Sequence, residues 1–250
     1  PFNGVSIVCG DDAVVKELKI NFQRPHISYG FESSNDYVLS SYRTDGRNSY
    51  FKLTSDTDSF DFKLNMLGKH NVLNAAAAIV LCLQEGIAVS VIQDSLSNFM
   101  GIDRRMQILG EKKIGSSTCL YIDDYGHHPT EIKSTIDTIR KIYPKKNIIM
   151  IFQPHRFSRT KSSWPNLTKV LKSINSIILL PTYSAGEKKS IYDSKFLYKK
   201  LATKNKLYVK TLDQVLDILK PIIDNKSVLL LQGAGDIKNI LNMLRENDSK

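Results

Sequence analysis

The second half of the chain alternates short apolar runs with helix-like segments, and this alternation constrains the fold more than any other feature. The apolar runs cover residues 118–123, 147–152, 176–181, 206–210 and 227–232. Helix-like patterns cover residues 129–142, 164–173, 193–202, 211–222 and 235–245. Strands separated by helices favour parallel βαβ units, and continuous apolar runs are typical of strands covered on both faces. The pattern predicts an α/β fold with a doubly wound, mostly parallel sheet.

The first half of the chain follows a different pattern. We predict a strand at 4–10, a helix at 11–19 capped by Asp11 or Asp12, and a strand at 26–31. Residues 35–66 then alternate with a period of two, which predicts a β-meander of about three strands.

A helix-like stretch at 68–86 follows the meander, and a second one covers 90–100. The first is apolar nearly all round, so we expect it to be buried. We expect His70 or Asn71 to cap its start and Gly86 to end it. Residues 101–110 are interpreted as a linker leading into a new strand. The predicted boundary lies near Ile102, which gives domains 1–102 and 103–250.

Composition narrows the class of protein. The chain has 42% apolar and 24% charged residues, as expected of a globular protein. It has no apolar run near the ~20 residues that span a membrane, and its start does not resemble a signal peptide. Cys9, Cys82 and Cys119 form no CxxC pair, so we interpret them as buried, reduced thiols of a cytoplasmic protein.

The net charge of +10 comes from scattered lysines. The main interpretation is a solvated surface, and the next is a field that favours anionic substrates such as nucleotides. Dedicated nucleic-acid binding would call for clustered basic residues or a binding motif. We therefore expect neither a nucleic acid nor a membrane as a partner.

Polar bursts follow two successive strands of the predicted sheet. The segment DDYGHHP carries Asp123, Asp124, Tyr125, His127 and His128, and FQPHRFSRT carries His155, Arg156 and Arg159. Ligands bind at the carboxyl ends of the strands in open parallel sheets, so we expect these residues to form one candidate site.

The chemistry of this rim stays open at this stage. The carboxylates could accept from ribose hydroxyls, or they could hold a metal or a histidine. A zinc site on the three histidines is conceivable, but it lacks the usual HxxxH or HxH spacing. The two arginines could face a carboxylate or phosphate, or they could form salt bridges to Asp123 or Asp124.

Two further motifs suggest nucleotide contacts. In GKHNVLN, Asn71 and Asn74 share a helix face, and amides can read an adenine edge. His70 could stack on or bond to the nucleotide. From the residues alone we favour the simpler interpretation, in which His70 and Asn71 cap the helix and Asn74 bonds a neighbouring backbone group. Arg104 and Arg105 could clamp phosphate or ribose, or they could lie in a solvated turn. The glycine loops at 181–187 and 232–237 lack the GxGxxG spacing of a dinucleotide site.

Taken together, the segments GKHNVLNAAAA, DDYGHHPTEI, FQPHRFSRT, YSAGE and QGAGDI resemble the Mur ligase family, and in particular its alanine-adding members. The resemblance covers essentially the whole chain. It implies that residues 1–102 are the second half of a central ATP-binding domain and that residues 103–250 are a Rossmann-like C-terminal domain. The implied reaction forms an amide: ATP converts the lactyl carboxylate of UDP-N-acetylmuramate to an acyl phosphate, which the amine of L-alanine attacks.

The resemblance also implies residue roles. His70, Asn71 and Asn74 would contact adenine, and Arg104, Arg105, Asp123, Asp124 and Tyr125 would contact the rest of the nucleotide. His127, His155, Arg156 and Arg159 would face the amino acid carboxylate and the acyl phosphate. No metal ligand is assigned in these residues, although the family uses Mg²⁺.

One departure from the family pattern is large, because the 250 residues contain no GxxxxGK[ST] segment. The chain therefore resembles a C-terminal part of a longer enzyme, without its P-loop or UDP-binding domain, and we expect no ligase activity from it alone. The magnesium ligands are expected mainly in the preceding part. Two alternatives remain open: a sibling ligase for another amino acid or peptide, and a non-catalytic nucleotide-binding module.

Overall fold

The computed structural model describes residues 4–19 and 21–247, and side chains as far as residue 243. The chain divides between Gly101 and Ile102 into two compact units, which are described separately. We call them unit 1 and unit 2. No helix in the described part is long and apolar enough to cross a membrane.

Within residues 4–19 and 21–101, unit 1 holds one five-stranded sheet and three helices. Its strands are β1 Ser6–Cys9, β2 His26–Gly30, β3 Tyr37–Asp45, β4 Asn48–Thr54 and β5 Ser59–Leu64. Its helices are α1 Ala13–Lys19, α2 Lys69–Gln84 and α3 Val89–Asn98. The strand order follows the sequence, with β1, β2 and β3 parallel and β3 to β5 antiparallel. The predicted meander is therefore confirmed.

Local sequence signals explain two helix ends of unit 1. The carboxylate of Asp12 accepts from the backbone N–H groups of Val14 and Val15, which caps α1 as predicted. Gly86 has a φ of 74° and its N–H donates to Leu83 O, so α2 ends in the predicted glycine cap. Glycine is suited to this position because left-handed backbone is costly for other residues.

Two expectations for α2 are wrong. His70 and Asn71 lie inside the first turn, and Gly68 occupies the N-cap position without a side-chain cap. The helix is also not buried all round, since Leu81 is 50% exposed. Its buried side, formed by residues such as Val72, Ala76 and Ile79, belongs to the core of unit 1.

Unit 2, as described from residue 102 to 247, holds a six-stranded sheet in the order β10-β9-β8-β11-β7-β6. Its strands are β6 Gln107–Ile114, β7 Ser117–Asp124, β8 Asn147–Phe152, β9 Ser176–Leu179, β10 Asn205–Tyr208 and β11 Ser227–Gln232. Its helices are α4 Pro129–Ile142, α5 Phe157–Ser162, α6 Trp164–Leu171, α7 Ser194–Lys200, α8 Gln214–Leu219 and α9 Asn239–Asn247. A short 3-10 turn, Asp236–Lys238, precedes α9.

Helices cover both faces of this sheet. One core contains Ile132 of α4, Leu167 of α6 and Leu197 of α7. The other contains Val215 of α8 and Ile240 of α9. All strand pairs are parallel except β6 with β7. The predicted doubly wound, mostly parallel α/β sheet is confirmed.

Strand β6 is a correction to the predicted linker at 101–110. It pairs antiparallel with β7 along the edge of the sheet, with a register shift between Ile108 and Gly110. Gly110 has a φ of 90°, and such an irregularity interrupts the alternation of apolar and polar residues that marks a strand. The cysteines also differ from expectation, because only Cys119 is buried while Cys9 and Cys82 are half-buried.

Candidate active site

A row of four rings crosses the carboxyl-terminal edge of the sheet in unit 2. The ring centroids of Tyr125 and His127 are 5.6 Å apart, those of His127 and His155 are 5.5 Å apart, and those of His155 and Tyr183 are 5.5 Å apart. We call these four residues the ring row. Tyr125 and His127 follow β7, His155 follows β8, and Tyr183 follows β9. The two predicted polar bursts therefore do meet at one rim.

Backbone hydrogen bonds hold the last two members of the ring row together. Tyr183 N donates to Pro154 O at 2.9 Å, and Arg156 N donates to Tyr183 O at 2.8 Å. The rings of His155 and Tyr183 stack at an interplanar angle of 17°. Tyr183 was not among the predicted site residues, although it opens the YSAGE segment that was noted for its glycine.

The hydrogen-bond partners define the tautomers of the two histidines. His127 Nδ1 lies 3.2 Å from Tyr125 O, and a carbonyl can only accept, so Nδ1 carries the proton. His155 Nδ1 lies 3.2 Å from Arg159 Nη1, and a guanidinium can only donate, so this Nδ1 is unprotonated. Neutral His127 therefore has a free lone pair on Nε2, whereas neutral His155 has an N–H there.

The surroundings favour these neutral forms. Burial is the main reason why the pKa of His127 is lowered, and the positive charges of Arg159 and Arg105 add to it. Burial also lowers the pKa of His155, followed by the effects of His127 and Arg159. Both rings are therefore uncharged at neutral pH.

The predicted arginines Arg156 and Arg159 lie at the start of α5, a helix that the sequence analysis missed. Arg159 is half-buried against His155, and Arg156 is exposed at the N-cap position with a φ of 66°. Such a sparsely populated backbone conformation costs a non-glycine residue about 1–3 kcal/mol. Within the described residues neither arginine forms an ion pair with Asp123 or Asp124, so the salt-bridge alternative for these arginines is wrong.

The partner of Asp123 is Arg104 instead. Arg104 Nε donates to Asp123 Oδ2 at 3.1 Å, and its Nη2 donates to Gly233 O. Asp123 is 0% exposed and its Oδ1 has no hydrogen-bond partner. Burial raises the pKa of Asp123, while the Arg104 charge opposes this rise. The solvated-turn alternative is thus wrong for Arg104, because its guanidinium pairs with the buried carboxylate of Asp123 at the end of β7.

Asp124 is also enclosed. Its Oδ2 accepts from Thr135 Oγ1 at 2.6 Å and from Gln232 Nε2 at 2.8 Å. Gln232 Nε2 donates in addition to Gly126 O at 2.7 Å. This buried network fixes the turn that leads to His127. The proposed nucleotide contacts of Asp123 and Asp124 stay predictions, and they would require these bonds to rearrange.

Glu131 joins two parts of the site that the sequence analysis treated separately. Its Oε2 accepts from the backbone N–H groups of His127 and His128, both at 3.1 Å. Its Oε1 accepts from Arg105 Nη1 at 3.1 Å. The guanidinium of Arg105 lies 5.6 Å from the ring centre of Tyr125. Glu131 was missed, although the order His-x-x-Glu at a helix start could have revealed it.

His128 itself serves the helix rather than the ring row. Its Nδ1 accepts from Thr130 N at 3.3 Å, and together with Glu131 it forms a capping box at the start of α4. Pro129 is the first residue of the helix, as predicted. His127 and His128 therefore do not point at one ligand.

Gln153 explains the glycines of the QGAGDI loop. Its Oε1 accepts from Ile237 N at 3.0 Å, and its Nε2 donates to Asp236 Oδ1 and Pro181 O. A Cβ on Gly235 would lie 2.4 Å from Gln153 Oε1 and 2.7 Å from Tyr183 Cβ. Glycine is needed here because the backbone of residue 235 packs closely against Gln153 and against Tyr183 of the ring row. Gln153 was missed, and an isolated glutamine carries no motif that could have revealed it.

The remaining predicted residues lie in unit 1, on α2. Asn71 is 5% exposed and its Nδ2 donates to Leu67 O at 2.7 Å. Asn74 is exposed one turn later, and His70 is half-buried. The simpler alternative made Asn71 a cap and gave the backbone bond to Asn74, whereas in the structure Asn71 itself makes a backbone bond inside the first turn. The adenine contacts of the three residues stay predictions.

The chain is similar to known proteins in both of its units. The Mur ligase middle domain model matches residues 1–82, and the Mur ligase glutamate ligase domain model matches residues 104–235. The chain is 38% identical over 253 residues to a UDP-N-acetylmuramate–L-alanine ligase from Vesicomyosocius okutanii, covering 99% of this chain and 54% of that protein. The chain thus spans about half the length of that curated relative.

Solved structures show the same fold. A UDP-N-acetylmuramate–alanine ligase from Thermotoga maritima matches with a TM-score of 0.72 and 24% identity, covering 98% of this chain and 52% of that chain. A murein peptide ligase from Psychrobacter arcticus matches with a TM-score of 0.70 and 20% identity, covering 98% and 51%. A MurF ligase from Thermotoga maritima, solved in complex with ADP, matches with a TM-score of 0.68 and 15% identity, covering 98% and 53%. With both family models and a 38% identical relative in agreement, the chain belongs to the Mur ligase family.

Proposed function

We propose that this chain belongs to an ATP-dependent ligase that joins L-alanine to UDP-N-acetylmuramate, in peptidoglycan precursor synthesis in the cytoplasm. The name of the 38% identical relative supports the substrates. The ring row supports the chemistry, because it places a neutral histidine with a free Nε2 beside cationic side chains. This arrangement is the single observation that carries the proposal.

In the proposed reaction the protein must promote phosphoryl transfer to a carboxylate and then deprotonate the attacking amine. The lactyl carboxylate takes the γ-phosphoryl group of ATP and becomes an acyl phosphate, releasing ADP. The amine of L-alanine then attacks the acyl carbon, the amide bond forms, and phosphate leaves. An amino acid carries an ammonium group at neutral pH, so the nucleophile must first lose a proton.

We assign the proton acceptor role to His127. Its Nδ1 proton is held by Tyr125 O, which leaves Nε2 to accept a proton from the ammonium group. His155 has the opposite tautomer, so its Nε2–H can donate to an oxygen of the acyl phosphate. Arg156 and Arg159 would hold the alanine carboxylate and offset the charge of the transferring group.

Nucleotide contacts are proposed for each unit by itself. On α2, Asn74 is exposed and free to reach adenine, whereas Asn71 is already bonded to Leu67 O and His70 lies beside it. In unit 2, both Arg104 and Arg105 pair with a carboxylate, but the side chain of Arg105 is 39% exposed and that of Arg104 only 16%. Arg105 and the half-buried Tyr125 are therefore better placed to bind a ligand than Arg104. The ADP complex of the structurally similar MurF ligase supports a nucleotide site in this fold.

The family also implies Mg²⁺, and the described residues do not fit it. Among them, no group of three or more His, Cys, Asp or Glu side chains could hold a metal ion. Asp123 faces a guanidinium, which opposes a second cation at that carboxylate. We therefore derive no step through the metal from this chain.

Isothermal titration with ADP and then with L-alanine tests the proposal. We expect weak L-alanine binding that Arg159→Ala abolishes, because the variant loses both the carboxylate contact and the partner of His155 Nδ1. Arg140→Ala on α4 is the matched control, since Arg140 is exposed and donates to Ser173 O. Preference for a peptide over L-alanine would instead favour a sibling ligase. The expected lack of activity in the 250 residues alone stays a prediction.

A further inference from the structure

We propose that Glu131 is a positioning residue that couples the proposed nucleotide contact at Arg105 to the proposed proton acceptor His127. The inference rests on the proposed function for the roles of these two partners. Its structural part rests only on the hydrogen bonds of Glu131.

The geometry makes Glu131 a bridge between the two partners. One carboxylate oxygen accepts from Arg105 Nη1 at 3.1 Å, and the other accepts from His127 N and His128 N, both at 3.1 Å. Arg105 comes from the segment before β6, whereas the histidines come from the turn after β7. No other side chain in the described part accepts hydrogen bonds from both segments at once through two separate oxygens.

The negative charge of Glu131 is needed for this bridge between Arg105 and His127. Hydrogen bonds from the backbone of His128 and His127 and from Arg105 lower the pKa of Glu131 despite its burial, so it is ionised at neutral pH. A carboxylate can accept all three bonds, whereas a glutamine amide can accept only at its oxygen. Glu131 is also the negative charge that counters the cations around His127.

His127 is surrounded by groups of both signs. Burial and the charges of Arg159 and Arg105 lower its pKa, whereas Tyr125 O and Glu131 raise it. The ring of His155 packs against it from β8. Without the charge of Glu131, no carboxylate would offset the two arginines, and the pKa of His127 would fall further below its ordinary value of 6.5 although Tyr125 O still raises it.

The coupling follows from the shared carboxylate. A nucleotide phosphate or hydroxyl that binds Arg105 competes with Glu131 or reorients it, and either change alters the turn that carries His127. By linkage, amino acid binding near His127 changes nucleotide affinity by the same factor. Through Glu131, a nucleotide bound at Arg105 would thereby change the position and the basicity of His127, which the amino acid contacts.

Glu131→Gln tests the inference, with Asp137→Asn as its control. Asp137 lies on the same helix, and its carboxylate pairs only with exposed Lys133 among the described residues. NMR titration of the imidazole should show a lower His127 pKa in Glu131→Gln and an unchanged one in Asp137→Asn. The guanidinium signals of Arg105 should also show faster motion in Glu131→Gln alone.

Ligand titrations give the second readout. In the unaltered chain, saturating ADP should change L-alanine affinity about five-fold or more, the lower range of measured couplings. Glu131→Gln should reduce that ratio to about one, and Glu131→Asp, which keeps the charge, should restore part of it. A lower melting temperature with no change in the His127 pKa, in the Arg105 signals or in the ratio would overturn the inference.

The two proposals fail in different ways. If the unaltered chain binds neither ADP nor L-alanine, the proposed function is refuted for this chain. The His127 pKa and the Arg105 signals would still decide the structural link, since neither measurement uses a ligand.

Discussion

Replacing Arg104 by methionine tests how the charged end of β7 is kept in the interior of unit 2. The Arg104 side chain is 16% exposed and Asp123 is 0% exposed, with 3.1 Å between Nε and Oδ2. The second carboxylate oxygen of Asp123 has no hydrogen-bond partner. Methionine replaces the apolar stem of arginine but removes its guanidinium group, so Asp123 loses its cationic partner.

The expected cost follows from the burial of the carboxylate. Removing one partner of a buried ion pair costs about 3–5 kcal/mol. We expect about 3 kcal/mol at pH 7, because protonation of Asp123 relieves part of the penalty. At about 2–4 °C per kcal/mol for a unit of this size, the melting temperature should fall by roughly 6–12 °C.

The pH dependence has a definite sign. Burial already raises the pKa of Asp123 and Arg104 opposes the rise, so Arg104→Met should raise the folded-state pKa further. A raised folded-state pKa adds stability below the unfolded value of 3.8, and that stability is lost as the pH rises through the folded-state pKa. The variant should therefore be most impaired at neutral pH and partly rescued near pH 4.

Urea unfolding followed by circular dichroism at pH 4.5 and pH 7.5 measures both effects. Arg104→Met combined with Asp123→Asn should regain much of the lost stability, because no buried charge remains. Three results would refute the reasoning: a loss below about 1 kcal/mol, which is typical of a surface pair; equal losses at both pH values; or a double variant no more stable than the single one.

Three further predictions follow from the site. Gly235→Ala should cost about 1–3 kcal/mol in urea unfolding, because the new methyl group would collide with Gln153 and Tyr183; an unchanged midpoint would contradict the packing argument. Thr135→Val should cost about 1.5–3 kcal/mol, since the Asp124 carboxylate loses a charge-assisted bond, whereas Thr135→Ser keeps the hydroxyl and should cost clearly less. The two histidines of the ring row have lowered pKa values, so their neutral forms should persist below pH 6.5. Their contribution to stability should be present above pH 6.5 and lost as the pH falls through their folded-state pKa values, and L-alanine binding should decline with it. Binding that weakens already above pH 7 would contradict this assignment.

The sequence predicted the elements whose signals are local and regular. The apolar runs and the intervening helices gave the doubly wound sheet of unit 2, and the alternating stretch gave the meander of unit 1. Strand β6 was not predicted, because the irregular register at Gly110 interrupts the pattern. Helix α5 was not predicted either, because its N-cap residue, Arg156, has a positive φ and forms no side-chain cap.

Within the site, the rim and its histidines were predictable because strand ends of a parallel sheet converge. The pairing of Asp123 was not, since it depends on which arginine the fold brings to the buried oxygen. Arg104 lies 19 positions away and reaches it through the turn before β6. Gln153 and Gln232 were equally hidden, because their amides act through packing across several strands, which leaves no spacing pattern in the chain.

The strand order of unit 2 has a consequence for how the chain acquires its structure during synthesis. Strand β11 lies between β7 and β8, so the last strand in the described part of unit 2 occupies the middle of the sheet. Until residues 227–232 have left the ribosome, β7 and β8 lack the neighbour that joins them, and the two halves of the rim have no fixed spacing. Contacts between residues this far apart in sequence slow folding, and unpaired strand edges are prone to aggregation. The decisive step in the folding of this unit therefore waits until β11 has been synthesised, and chaperone demand should be greatest just before that strand emerges.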